Sequence, residues 1–359
     1  MARKPDLSSL KIRGHVADAQ RSAASDAAER KRAEKIPGSI ILGKGDVQGD
    51  YDAARVLTTT LGGLRRVLTA EDLATFRHNL RTVQAKLTST GITARQVLDF
   101  ARNNPLNSPE GGSDLTRANQ QIRVAIPASA IVRQATPNKA LDVRFITNAG
   151  PDSRVSRHNV LVRFLGFAES ARALQGSPTV ADAKDKRPTT PKQAATRMRA
   201  GYLAFDCDCE RHRYFFRFVT TIGGFNAGRD EHGYPKIKNP GLHGVTCKHV
   251  LRVMAEVNSS NTVLGFLTRA LESAMRSSDN LVRVQTKESD ARALAAKQAA
   301  RPRAIAPIAK VRTKSPASAG RLTRLPNARN ADQALKAFMT QNNLSAEQVL
   351  ALLQPKAPQ

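Results

Sequence analysis

All three cysteines of this 359-residue chain fall within 41 residues, and a histidine closes the stretch: Cys207-Asp-Cys209, 37 intervening residues, then Cys247-Lys-His249. Three sulfurs and one imidazole make a complete tetrahedral donor set. Soft donors of this kind favour Zn2+ over Mg2+ or Ca2+. Four protein ligands leave no open position for water, so the expected metal is structural and not catalytic. A redox pair at Cys207/Cys209 is the weaker reading, because C-x-C lacks the C-x-x-C spacing of thioredoxin-like sites. Three cysteines in a chain of this length do not make a disulfide framework. His212, His232 and His243 lie inside the same stretch, and replacement of a ligand by His212 or His243 stays open. His15, His78 and His158 are isolated and carry no signal of their own.

The elements around these residues are set to position them. Tyr202–Asp206 reads as a strand leading into Cys207. Val250, Leu251, Val253, Met254 and Val257 recur at helical spacing and place Cys247 and His249 at the opening of a helix, whose positive end suits thiolates. Tyr214–Thr221 reads as a second strand, giving a small ββα zinc module over 203–257. Eight of the sixteen Phe and Tyr fall between 202 and 234, so the densest core is expected there. C-x-C…C-x-H on a strand pair followed by a helix resembles the SWIM zinc finger, which implies a DNA- or protein-binding role. The 37-residue spacer is longer than that family's usual gap. Arg213-Tyr-Phe-Phe-Arg-Phe, Gly223-Gly-Phe-Asn-Ala-Gly, Gly233-Tyr-Pro-Lys-Ile-Lys-Asn-Pro-Gly241 and Ser156-Arg-His-Asn-Val-Leu-Val-Arg-Phe resemble zinc-finger-bearing virion structural proteins of tailed bacteriophages. That resemblance implies a particle component, assembled in the host cytoplasm, and not an enzyme; otherwise the chain is expected to be cytoplasmic.

The rest of the chain reads as α+β. Residues 1–36 carry basic charge and good helix formers without an apolar stripe, and are expected to be a flexible or marginally helical tail. Residues 46–104 read as a helical domain: Leu57, Leu61, Leu64 and Leu68 share helical spacing, Leu73, Phe76, Leu80, Val83 and Leu87 form one face, and Thr93 with Gln96 forms a capping box stapled by Ile92 and Val97. Residues 120–276 read as an α+β domain holding the zinc module, with strands near 122–126, 142–147 and 160–164 and helices near 165–176 and 188–200. A basic linker is expected over 277–329 and a small helical hairpin over 330–354. Leu344–Leu350 repeats the capped pattern of Ile92–Leu98, a convergence expected of any short capped helix.

Charge bears on partners. Lys and Arg number 57 against 30 Asp and Glu, a formal +27. Nucleic acid is the first candidate partner, and an acidic protein surface or other virion proteins the second. Residues 291–329 alone hold ten Lys/Arg and no acid. The contact candidates are Arg229, Tyr234, Lys236, Lys238 and Lys248 around the zinc stretch and Arg301, Arg303, Lys310, Arg312 and Lys314 in the linker. No membrane-spanning run, secretory signal, Walker loop, G-x-S-x-G or H-E-x-x-H is found. The expected function is therefore a non-enzymatic zinc-binding structural protein of a phage particle that contacts DNA or assembly partners. The alternative is a SWIM-type DNA-binding regulatory or nucleoid-associated protein. An enzyme whose site one sequence does not reveal is the third class.

Overall fold

The computed structural model describes residues 12–34, 41–87, 90–104, 112–133, 139–176, 189–276, 282–300 and 304–305. The chain divides into two units, Met1–Ala309 and Lys310–Gln359, and every described residue belongs to the first. The expected hairpin at 330–354, and with it Arg301, Arg303, Lys310, Arg312 and Lys314, lies outside the described residues.

Of the two readings of the N-terminal tail, the helical one holds over Ile12–Glu34, helix α1. It has no apolar stripe and docks by charge. Asp26 accepts from Arg217 at 2.7 Å and lies 3.4 Å from both Arg213 and Arg229, and Arg30 pairs with Glu231. Its first residue, Ile12, is buried in an apolar cluster with Val124, Ile126 and Ile146. Helix α2 spans Lys44–Gln48.

The leucines at 57–68 do not form the expected helix. They flank a two-stranded hairpin, β1 (Thr58–Thr59) with β2 (Arg66–Val67), whose turn uses Gly62 and Gly63 at φ 86° and 105°. Only glycine adopts two successive left-handed residues without steric penalty, and this decides the local structure against the leucine spacing. Leu57 and Leu68 are buried at the hairpin base, whereas Leu64 is 83% exposed. Helix α3, Ala70–Leu87, follows with Leu73, Phe76, Leu80 and Leu87 buried, as its periodicity predicts. Helix α4, Ala94–Asn103, carries the expected box: the Gln96 N–H donates to Thr93 Oγ1 at 3.2 Å, and the Thr93 N–H donates to Gln96 Oε1 at 2.9 Å. Helix α5 is Asp114–Gln121.

The central sheet has five antiparallel strands in the order β6-β5-β4-β3-β7: β3 Ala125–Arg133, β4 Ala140–Asn148, β5 Arg157–Phe164, β6 Leu203–Cys207 and β7 Arg283–Gln285. One face carries Leu141, Val143 and Phe145 of β4, Val160, Val162 and Phe164 of β5, and Leu203, Phe205 and Cys207 of β6, all in the main core. A bulge between Pro127 and Ser129 inserts one residue into β3, so Ala130 and Val132 join the main core while Ile126 and Ala128 face the other side.

Between β5 and β6 lie α6 (Phe167–Leu174) and α7 (Pro191–Ala200), close to the expected spans. After β6 the expected second strand is absent. A π-helical turn, His212–Phe216, runs directly into α8, Arg217–Ile222. Helix α9, Lys248–Ser259, is buried along its whole length from His249 to Val257, against α4, α5 and the sheet. Each such fully buried Val or Leu contributes roughly 1.5–3 kcal/mol of transfer free energy. Helix α10 is Asn261–Arg276. Part of the expected basic linker is ordered as β7 and helix α11, Glu288–Ala300. Ala291 and Ala295 of α11 pack beside Ile12 on the outer sheet face, and the Gln298 amide pairs with both the N–H and the carbonyl of Ala125, at 3.0 and 3.2 Å. No helix among the described residues is long and apolar enough to cross a membrane.

Candidate metal centre

Strand β6 delivers Cys207 to the core face, and its pairing with β5 sets Cys207 opposite Val160. The chain then turns at Asp208. The Asp208 carboxylate accepts from the Asn159 N–H at 3.0 Å and from Asn159 Nδ2 at 2.9 Å, and lies 2.8 Å from His158 Nδ1. These contacts hold the C-x-C turn against β5 and place Cys209 behind it. Cys209 Sγ accepts from the His212 N–H at 3.3 Å, the first residue of the π turn. From the other side, Cys247 is the N-cap of α9 with extended backbone, and His249 stands in the first turn.

Cys207, Cys209, Cys247 and His249 meet with their four ligand atoms all within 4.8 Å of one another, and all four residues are buried. His249 presents Nδ1, which lies 4.0 Å from the sulfurs of both Cys207 and Cys247. A tetrahedral ion bonded to sulfur at about 2.3 Å and to nitrogen at about 2.0 Å would hold these atoms about 3.6 Å apart. The four residues are thus close enough to hold a metal ion with small adjustments.

The electrostatics fit such an ion. Burial lowers the pKa of His249 and keeps its ring neutral, the form that ligates. Burial raises the Cys207 and Cys209 thiols well above the ordinary range. Cys247 feels the same burial, but donors from Cys207, Cys209, His212 and His249 outweigh it and hold its pKa well below the usual value. One sulfur in the cluster carries charge readily and its neighbours do not. Three adjacent thiolates need a cation among them.

His212 and His243 take different places. His243 is exposed. His212 is fully buried beside the cluster, with Nε2 3.2 Å from Asp206 Oδ1 but poorly aligned for a hydrogen bond. Burial opposes charge on His212, and Asp206 and Cys247 more than offset it, so its pKa is raised. The sequence gives no sign that His158 belongs here, yet its ring packs against that of His249, tilted by 46° with centroids 4.3 Å apart. The missing information is strand pairing: only the β5–β6 register carries His158 past the C-x-C turn.

The expected contact residues separate into two groups. Tyr234 is 4% exposed and stacks on Phe76 at 4.3 Å, so it is not available to a base. Arg229 is occupied by Asp26 and Glu231. Lys236 is half-buried under the β1–β2 hairpin, where burial and nearby arginines lower its pKa. The Gly- and Pro-rich loop before α9 therefore packs back on the core. Lys238, in contrast, is exposed on a groove, and Lys248 lines the same groove half-buried, donating to Gln121 Oε1 at 2.6 Å. Compared with protein-family models, curated proteins and solved structures, the chain matches none.

Proposed function

We propose that this chain is a zinc-stabilised, non-enzymatic structural protein that contacts nucleic acid through its basic surface. The observation that carries the reading is the closed Cys207/Cys209/Cys247/His249 cluster, with all four donors buried. Three sulfurs and one imidazole favour zinc, and four protein donors leave no coordination position for substrate. The zinc would hold together the end of β6, the π turn and the start of α9, three segments that share no continuous hydrogen-bond ladder. The formal +27 supports a polyanionic partner. The resemblance to tailed-phage virion proteins supports a place in a particle, where such a partner is packed at high density.

Sequence-specific reading by α9 is not favoured. Arg252 is 1% exposed and donates to the Ile122 carbonyl at 2.6 Å, and Glu256 is also buried. A recognition helix needs such side chains free to reach base edges. The experiment is fluorescence anisotropy of the full chain with duplexes and single strands of varied sequence in rising salt. Binding that ignores sequence and weakens steeply with salt supports the reading. Absence of binding at low salt overturns the nucleic-acid role, and discrimination above ~10³-fold restores the regulator.

A further inference from the structure

A groove of about 900 Å³ opens beside the Cys/His cluster. Its walls come from four parts of the chain: α1 at His15 to Ser22, the β4–β5 turn at 150–157, the C-x-C and π turns from Asp208 to Phe215, and the lysines Lys238 and Lys248. Seven Lys/Arg line it against four Asp/Glu. Asp208 is already engaged by His158 and Asn159, and Asp18 by Arg21; of the cations, Arg117 and Arg211 are engaged by Asp114, Arg213 by Asp26 and Lys248 by Gln121. Asp152 and Glu210 remain at the rim. Arg154 and Lys238 are exposed, and neither makes an ion pair among the described residues.

The π turn gives this groove an aromatic platform. The turn buries His212 and Phe216 and leaves Tyr214 56% exposed on the groove wall. The Arg213 guanidinium lies 5.9 Å from the Tyr214 ring centroid. Extra residues inserted in a helix in this way often re-aim a side chain at a functional site. An exposed ring that shares a groove with two unpaired cations, Arg154 and Lys238, suits single-stranded nucleic acid: cations track the phosphates and the ring stacks a base.

We infer that this groove binds a single-stranded nucleic acid, with Arg154 and Lys238 on phosphates and Tyr214 stacked on a base. The inference rests on the nucleic-acid reading above and names the surface that serves it. The test uses the full chain and 5′-labelled dT12, with U12 as a second arm and a labelled 12-base-pair duplex as a third. The three side chains are exposed, so their variants should keep the fold and the metal content, which circular dichroism and elemental analysis check. Arg154→Ala with Lys238→Ala should weaken dT12 binding at least tenfold and reduce the salt slope by about 1.4, two phosphates at about 0.7 each. Tyr214→Ala should weaken it about tenfold or more and leave the slope unchanged, while Tyr214→Phe keeps the affinity. Arg95→Ala, on the exposed face of α4, serves as the control. Tight dT12 binding unaffected by the groove variants, or equally reduced by Arg95→Ala, overturns the groove alone. Preference for the duplex over dT12 also overturns it. If neither single strands nor duplexes bind, the nucleic-acid role and the groove fall together.

Discussion

Arg217 of α8 reaches across 191 positions of sequence to donate to Asp26 of α1 at 2.7 Å, and on its other side it pairs with Asp206 at 3.0 Å. Asp206 is the residue before the first cysteine of the cluster. The N-terminal helix is therefore fastened by charge to the segment that presents the Cys/His cluster.

Asp26→Asn should loosen α1 without unfolding the sheet. The substitution leaves the nearly buried Arg217 with one partner, at a cost of about 1–3 kcal/mol. Burial raises the Asp26 pKa, but Arg213, Arg217 and Arg229 more than reverse it, so the folded value lies below the ordinary one. A depressed carboxyl pKa contributes stability above the unfolded value of about 3.9, and that contribution is lost as pH falls through the folded value. Urea titrations should show wild type more stable than Asp26→Asn at pH 6, with the gap closing below about pH 4. A gap independent of pH down to full acid unfolding would contradict the pairing.

The difference between reading and structure at α1 has this same origin. Apart from Ile12, Val16 and Ala19, residues 12–34 carry no apolar stripe, and the charged partners that hold the helix, Arg213, Arg217 and Glu231, lie about two hundred positions away. Short-range signals fared better: the Thr93–Gln96 box, the α3 face and the strands β4 to β6 are visible as local pattern, whereas the strand expected at 122–126 lies at Ala125–Arg133 and overlaps it by two residues. Tyr214–Thr221 is rich in aromatic and β-branched residues like a strand but folds as a helix buried on several sides, where periodicity carries little information. The four ligands were legible because their spacing is itself the signal. Of their neighbours, His212 was a candidate because it lies inside the same stretch, whereas His158 was not, because pairing between strands is invisible in one sequence.

Substitutions around the ligands should tune metal affinity and leave the fold intact. Asp208→Ala removes the acceptor of Asn159 and the partner of His158. Loss of such supporting contacts typically weakens metal binding 10–100-fold. Competition with a chromophoric chelator measures it. An unchanged chelator midpoint would mean the turn is held by the metal and backbone alone.

Arg252 should be among the most sensitive positions outside the cluster. Its guanidinium donates to the carbonyls of Ile122 and Ala118, at 2.6 and 3.2 Å, closing the C-terminal end of α5. Arg252→Ala leaves buried carbonyls unpaired and a large void, and should destabilise by about 3–5 kcal/mol. Arg252→Lys should recover little, because one ammonium cannot reproduce the planar fork. Thermal unfolding of both variants provides the check.

Gly91 should not tolerate alanine. Its φ is 104°, and a Cβ there would lie 2.7 Å from Leu165 Cδ1 and 3.1 Å from the Leu203 carbonyl. That contact sits where Ile92 bridges to Leu203, joining α4 to the strand that carries Cys207. Gly91→Ala is expected to cost about 1–2 kcal/mol from backbone conformation alone. A melting temperature equal to wild type would contradict the close packing.

The most direct measurement is the metal content and ligand environment of the purified full chain, by elemental analysis with X-ray absorption at the metal edge. The account predicts one zinc per chain bound by three sulfurs and one nitrogen, with Cys247→Ser losing the metal and unfolding around α9. A folded chain that holds no stoichiometric metal, even after reduction and reconstitution with zinc, would contradict it.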